Sequence, residues 1–291
     1  MTMELGRIGI WSGQLRRGDP GRTQAAIAEL ESLGYGAVWL PGGAGPEFFA
    51  LADACLGTTR RIVVASGILS VWTSPAPEVG AAHAAFAARH PGRLLLGLGV
   101  SHAHLVERQT GRRFEHPVAV VREYLEALAA GPTPVPREEL VLAALGPRML
   151  ALARDATWGA HPYFVTPEHT RLARFVLGPD RLLAPEQAVV LETDPGRARA
   201  IARRHVEFYL RVPNYTNNLR RLGFAGADFA DGGSERLVDA IVAWGDLDAI
   251  RRRVEAHLAA GADHVCLQVL TAEPDPLPLT EWRTLAGLIE A

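Results

Sequence analysis

The sequence predicts an α/β fold: a (β/α)8 barrel with a helical insertion near its seventh and eighth strands. Three observations predict it. Strand-like and helix-like stretches alternate about eight times along the chain. The strand-like stretches are short and continuously apolar, as strands covered on both faces are, and the helical stretches are amphipathic. The length, 291 residues with 48% hydrophobic side chains, suits one barrel domain over residues 1–291.

Arg7–Trp11 reads as the first strand, and Thr23–Leu33 has helical spacing that stops at Gly34. Gly36–Leu40 is the second strand, broken by Pro41-Gly42-Gly43, and Phe48–Leu56 the second helix. Arg61–Ile68 is the third strand and Pro77–Arg89 an alanine-rich helix. The fourth strand lies in Pro91–His102, an apolar run that ends in the spaced glycines Gly97 and Gly99, then Ser101 and His102. His116–Ala130 is a helix, Leu140–Leu145 the fifth strand, and Gly146-Pro147-Arg148-Met149 opens the next helix. Thr157–His161, Leu182–Glu192 and Asp263–Val269 supply strands six to eight, with helices at Thr166–Val176 and Thr280–Ile289. Ala198–Ala243 is mostly helical and longer than one βα unit requires, so it reads as extra helical packing or as a lid over the strand ends. A doubly wound sheet is the alternative fold, but no G-x-G-x-x-G joins a strand to a helix near the start.

Composition narrows the partners. A formal net charge of −2 gives no reason to expect nucleic acid. All 30 positions counted as Lys or Arg are arginine, which excludes lysine Schiff-base chemistry. Cys55 and Cys266 are isolated, with no CxxC, which fits a reducing cytoplasm. No secretory signal and no apolar stretch of spanning length is evident, so a cytoplasmic location off the membrane is expected.

Several groups can carry chemistry. At Gly146-Pro147-Arg148-Met149 the free N–H groups of a helix start stand beside an arginine, either as an anion site or as a plain helix start. Gly97 and Gly99 allow either close packing or a flat ligand against the backbone. Ser66-Gly67-Ile68 interrupts the third strand, as a bulge or as backbone behind a ligand. His161-Pro162-Tyr163-Phe164-Val165 joins a polar group to aromatic side chains, as a loop packing element or a ligand wall. The H-x-H of His102 and His104 could start a metal site with His161, yet the eighth strand ends Leu267-Gln268-Val269-Leu270 without a carboxylate, so no metal is assigned. His83, His90, His205, His257 and His264 read as structural.

Together these segments resemble the luciferase-like monooxygenase superfamily, in particular its coenzyme F420-dependent oxidoreductases. Arg7–Ser12, Val38–Pro41, Val64–Ile68, Leu94–His102, Leu145–Met149, His161–His169 and Asn214–Leu219 carry the resemblance, in order and spacing. It implies a deazaflavin or flavin ring at the strand C-termini and a non-prolyl cis peptide at Gly67–Ile68 behind one ring face. It also implies a cofactor phosphate on Gly146–Met149 and the His161–Val165 loop. On that reading Ser66, Gly67, Ile68, Gly97, Gly99, Ser101, Gly146, Pro147, Arg148, Met149, His161, Tyr163, Phe164 and Val165 bind the cofactor. His102 is the proton donor or ring contact, and Trp11 and Trp72 border the substrate. The implied reaction is hydride transfer between F420 and a small organic molecule, by a homodimer. One departure stands out. Relatives often place an acid or a histidine after the second strand, and here Pro41–Gly45 offers none. Three further readings compete: an FMN-dependent monooxygenase, a flavin-binding barrel without turnover, and a metal-dependent hydrolase.

Overall fold

The computed structural model describes residues 3–43 and 45–289. Its strands are β1 (Ile8–Trp11), β2 (Ala37–Leu40), β3 (Val63–Ser66), β4 (Leu69–Ser70), β5 (Leu94–Gly99) and β6 (Leu140–Leu142). They continue with β7 (Gly159–Ala160), β8 (Leu182–Leu183), β9 (Glu186–Val190), β10 (Val242–Trp244) and β11 (Val265–Val269). The helices are α1 (Gln14–Arg17), α2 (Pro20–Ser32), α3 (Gly45–Leu56), α4 (Ala76–Ala87), α5 (Ala103–Thr110), α6 (Pro117–Ala130) and α7 (Pro147–Ala156). After them come α8 (Pro167–Leu177), α9 (Pro195–Leu210), α10 (Pro213–Arg221), α11 (Glu235–Ile241), α12 (Leu247–Ala259) and α13 (Leu279–Leu285).

The architecture is α/β, built on one sheet in the order β10-β9-β11-β1-β2-β3-β5-β6-β7-β8, with β4 beside β5. Every pairing among the described strands is parallel. Parallel strands need crossovers, and the helices supply them. Proline at the first position starts α2, α6, α7, α8, α9 and α10, where the N–H it lacks would be unpaired in any case.

β8 and β9 are one stretch split at Ala184-Pro185. Along one edge, Leu182, Ala184 and Glu186 donate backbone N–H bonds to Trp158, Ala160 and Pro162. Further along, Ala188 and Val190 pair with β10 instead. On the other edge, Asp263 N–H and Cys266 N–H donate to Leu183 and Pro185. The expected unbroken strand at Leu182–Glu192 is therefore interrupted, since Pro185 has no N–H to give.

Side-chain alternation along the strands separates two apolar layers. Val38, Val64, Leu94, Leu96, Leu140, Val265 and Leu267 pack toward the helices in the main core. Ala37, Trp39, Val63, Ala65, Leu95, Val141 and Cys266 fill the other face. A third cluster joins α9, α10 and α11, through Ala202, Val206, Tyr215, Leu219 and Leu237, to Ala188 and Val190 of β9. Within Ala198–Ala243 the helices therefore hold their own core, and the segment ends as strand β10 rather than as helix. Leu140–Leu145 ends as a strand at Leu142. The sequence reading did not identify α5, α12 or β4.

Candidate functional site

The bulge after β3 is the floor of the site. The Gly67–Ile68 peptide is cis. Ser66 Oγ anchors the bulge to β5, accepting from Gly97 N–H at 2.8 Å and donating to Gly97 O at 2.9 Å. A Cβ on Gly97 would overlap the Ser66 carbonyl, and one on Gly99 would lie 3.1 Å from Ile68 Cδ1. The two glycines thus make room for the bulge itself, and it is Ile68 that covers them.

The glycine turn after β2 has its own occupant. A Cβ at Gly42 would meet the Ile68 carbonyl, and one at Gly43, whose φ is +54°, would overlap the Arg16 guanidinium. Where the resemblance leads one to expect an acid or a histidine, Arg16 from α1 lies over bare backbone. Its Nη2 pairs with Glu47 at 2.5 Å.

His102 ends the β5 segment, after Ser101 with φ +56°. Its ring meets Tyr215 of α10 edge-on at 5.6 Å and stacks parallel with His104 at 6.1 Å. Burial lowers its pKa below the ordinary imidazole value and His104 adds to this, while the Asn214 side chain opposes both. The ring is therefore neutral near pH 7, and Nδ1 is buried without a partner. Among the described residues, no group of three or more His, Cys, Asp or Glu is placed to hold a metal ion.

His161 sits deeper than its neighbours in the loop. It stacks on Trp39 at 4.1 Å, donates from Nδ1 to Ala184 O at 2.7 Å, and leaves Nε2 buried and unpartnered. Burial pushes its pKa down to about 4. The structure thus puts His161 under the strand ends, apart from the α7 helix start. Tyr163 OH donates to Gln268 Oε1 at 2.6 Å and accepts from Tyr209 OH at 2.9 Å. Phe164, with φ +59°, and Val165 are buried. Phe164 packs against Tyr209 at 5.0 Å and Tyr215 at 5.4 Å. The loop is an aromatic wall beneath α9 and α10.

Gly146 caps α7 with no side-chain hydrogen bond, leaving the N-terminal N–H groups of that helix uncapped by side chains. Arg148 is exposed and Met149 buried. Across from them, Arg221 Nη1 lies 3.7 Å from where a Cβ on Gly146 would be. Tyr215, Asn218 and Arg221 follow helical spacing along α10. The Asn218 amide nitrogen is buried without a partner, which is an unmet donor on the helix that spans His102 and Gly146. These donors fit a phosphate: an open helix start, two guanidinium groups and an amide.

Trp11 packs on Tyr163 at 5.4 Å and lines a cavity of about 630 Å³ with Gln14, Arg16, Arg204, His205 and Leu270. Trp72 lies elsewhere, half-buried and 6.1 Å from Phe114.

Two residues of the site escaped the sequence reading. His205, taken as structural, belongs to the aromatic cluster, with Nε2 unpartnered and a pKa pushed down to about 4 by burial. Glu186 opens β9 in register with Cys266. Its Oε2 accepts from Phe164 N–H at 3.1 Å, its Oε1 has no partner, and burial pushes its pKa up to about 8. Its signal was an acid inside the apolar run Leu182–Leu191.

Residues 5–264 match the family model of luciferase-like monooxygenases. A Mycobacterium tuberculosis protein whose assigned name is that of a coenzyme F420-dependent oxidoreductase is 24% identical, over 93% of this chain and 95% of the relative. Among solved structures, an F420-dependent secondary alcohol dehydrogenase in complex with an F420–acetone adduct superposes with a TM-score of 0.76 at 14% identity, covering 98% of both chains. The oxygenating constituent of the 3,6-diketocamphane monooxygenase of Pseudomonas putida, in complex with FMN, superposes at 0.66 with 15% identity, covering 99% of this chain and 97% of that one. The two structures establish the likeness of fold. No described helix is long and apolar enough to cross a membrane.

Proposed function

Since the chain belongs to the luciferase-like monooxygenase family, we propose that it is an F420-dependent oxidoreductase acting on a small organic substrate, on a (β/α)8 barrel lidded by residues 198–243. The observation that carries this reading is the arrangement of groups at the strand ends. Ile68 packs over Gly97 and Gly99, and α10 meets His102 through Tyr215 and the start of α7 through Arg221. The full-length relative named for F420 supports the choice of cofactor.

F420, when bound, supplies hydride transfer. Ile68 backs one face of its ring, with Ser66 holding the bulge in place. Ser101 and His102 border the ring, and neutral His102 exchanges a proton at Nδ1. The α7 start, Arg148, Arg221 and Asn218 hold the phosphate. Tyr163, Phe164 and Val165 wall the pocket, and His161 supports it from below through Trp39. Trp11 borders the substrate. The enzyme is a cytoplasmic homodimer on this reading, which its buried free thiols Cys55 and Cys266 suit.

An FMN-dependent monooxygenase is the second reading, favoured by the FMN complex that shares the fold along its whole length. Titrating the purified protein with F420 and separately with FMN distinguishes the two. Micromolar or tighter F420 binding with weak FMN binding is the expected outcome. The reverse order would transfer the protein to the monooxygenase branch, and binding of neither would end both readings.

A further inference from the structure

The 630 Å³ cavity has a divided lining. Trp11, Ile201 and Leu270 give it an apolar body. Arg16, Arg17 and Arg204 stand at the same cavity, and among the described residues no Asp or Glu lines it. Arginines are costly to gather without anions, since like charges in a cleft repel and their fields add.

None of the three is used up by the fold. Arg16 engages Glu47 through Nη2, and the Glu47 side chain is 68% exposed and outside the lining. Arg204 holds the Thr271 and Ala272 carbonyls through Nη2 at 3.1 and 3.0 Å. Each keeps further N–H donors on its guanidinium. Arg17 makes no ion pair among the described residues.

Position makes the cluster specific. Gly43, at φ +54°, leaves vacant the space that the Arg16 guanidinium takes. The turn after β2 therefore presents a cation borrowed from α1. Trp11 and His205 belong to the same lining.

We infer that this cavity binds the carboxylate end of an organic-acid substrate, with the apolar body against Trp11 and Leu270 and the carboxylate held by Arg16 and Arg204. The inference rests on the oxidoreductase reading above and names the substrate class for it. Guanidinium N–H pairs match a carboxylate's two oxygens, and a cavity of this size holds a ligand of one or two rings.

The test uses two probes of matched shape, trans-cinnamate and cinnamamide, titrated calorimetrically into the full-length protein at low salt, with F420 titrated in parallel. Cinnamate is expected to bind about tenfold more tightly than the amide. Arg16→Ala and Arg204→Ala are each expected to weaken cinnamate about five- to tenfold and leave the amide unchanged. Arg17→Ala, which removes no side-chain hydrogen bond or ion pair among the described residues, gives a smaller loss in the same direction and guards against misfolding of the other variants. Raising salt narrows the difference between the probes.

Equal affinity for acid and amide, or no binding of either, overturns the inference. So does an acid preference that survives all three substitutions. If the substitutions weaken F420 by the same factor instead, the arginines serve an anionic part of the cofactor, and the substrate assignment falls. Failure of the wild-type protein to bind F420, with the acid preference intact, removes the cofactor reading and leaves the carboxylate site standing.

Discussion

Glu186 is a carboxylic acid that burial keeps protonated near pH 7, with a pKa pushed up to about 8 from an ordinary 4.5. The folded protein therefore holds a proton here that the unfolded chain has released. The stabilisation is complete below about pH 4.5 and is lost as pH rises through about 8. Urea unfolding at pH 5 and pH 8 should show wild type losing on the order of 1 kcal/mol per pH unit relative to Glu186→Gln. Equal pH slopes for the two proteins would show that the carboxyl is ionised in the fold. Gly97→Ala tests the seat of the bulge. Its Cβ would overlap the Ser66 carbonyl, so a loss of about 1–3 kcal/mol is expected in thermal melts. For His102, the Asn variant keeps a polar edge without an exchangeable imidazole proton. It should lower kcat about 100-fold in an F420-coupled assay while F420 affinity stays within about threefold. An unchanged kcat would reduce His102 to a ring contact. At this scale the interruption of the third strand at Ser66-Gly67-Ile68 was readable, with a bulge and backbone behind a ligand both left open. Gly97 and Gly99 left packing and ligand contact open, because a missing side chain does not say what takes its place. Arg16 was not readable at all, since its relation to Gly43 exists only once α1 and the β2 turn are brought together.

Among the elements, α10 has the clearest separable role. Tyr215 buries its ring against His102, Phe164 and Tyr209, so it belongs to the packing. Asn218 contributes an amide nitrogen that has no hydrogen-bond partner among the described residues. Asn218→Ala should therefore cost little stability in the absence of ligand and weaken F420 about tenfold, because a hydrogen bond to a charged phosphate is lost. A fall in melting temperature with no change in F420 affinity would make Asn218 a packing residue. β1, β2, α6 and α8 were legible within a residue, because they carry clear apolar runs or proline starts. β10 was not, because Val242–Trp244 is too short to show a period of its own and directly follows α11. α12 had its signals, with Asp246 accepting from Ala249 N–H and apolar Ile250 and Val254 in helical spacing. The helical run before it drew the boundary elsewhere.

Across the molecule, buried histidines set the acid side of stability. Burial holds His161, His205 and His264 down to about 4 and His257 to about 3. The unfolded chain would take up protons near 6.5 that the fold refuses. Their contribution is present above about pH 6.5 and is lost as pH falls toward 4. A stability profile should fall steeply over that interval, by several kcal/mol in total, and variants such as His257→Gln should flatten it. A flat profile from pH 7 to 4 would mean that these imidazoles are charged in the fold. The one stretch from Leu182 to Val190 changes partners along a single edge, from the Trp158–Pro162 segment to β10. Glu186 stands at that fork, its first oxygen unmet and its second tied to the aromatic loop. Ionisation there would place a negative charge on a buried carboxyl whose hydrogen-bond donor among the described residues is the Phe164 N–H. The alkaline limit of this enzyme is thus written into a seam of its sheet, directly behind the aromatic loop of Tyr163, Phe164 and Val165.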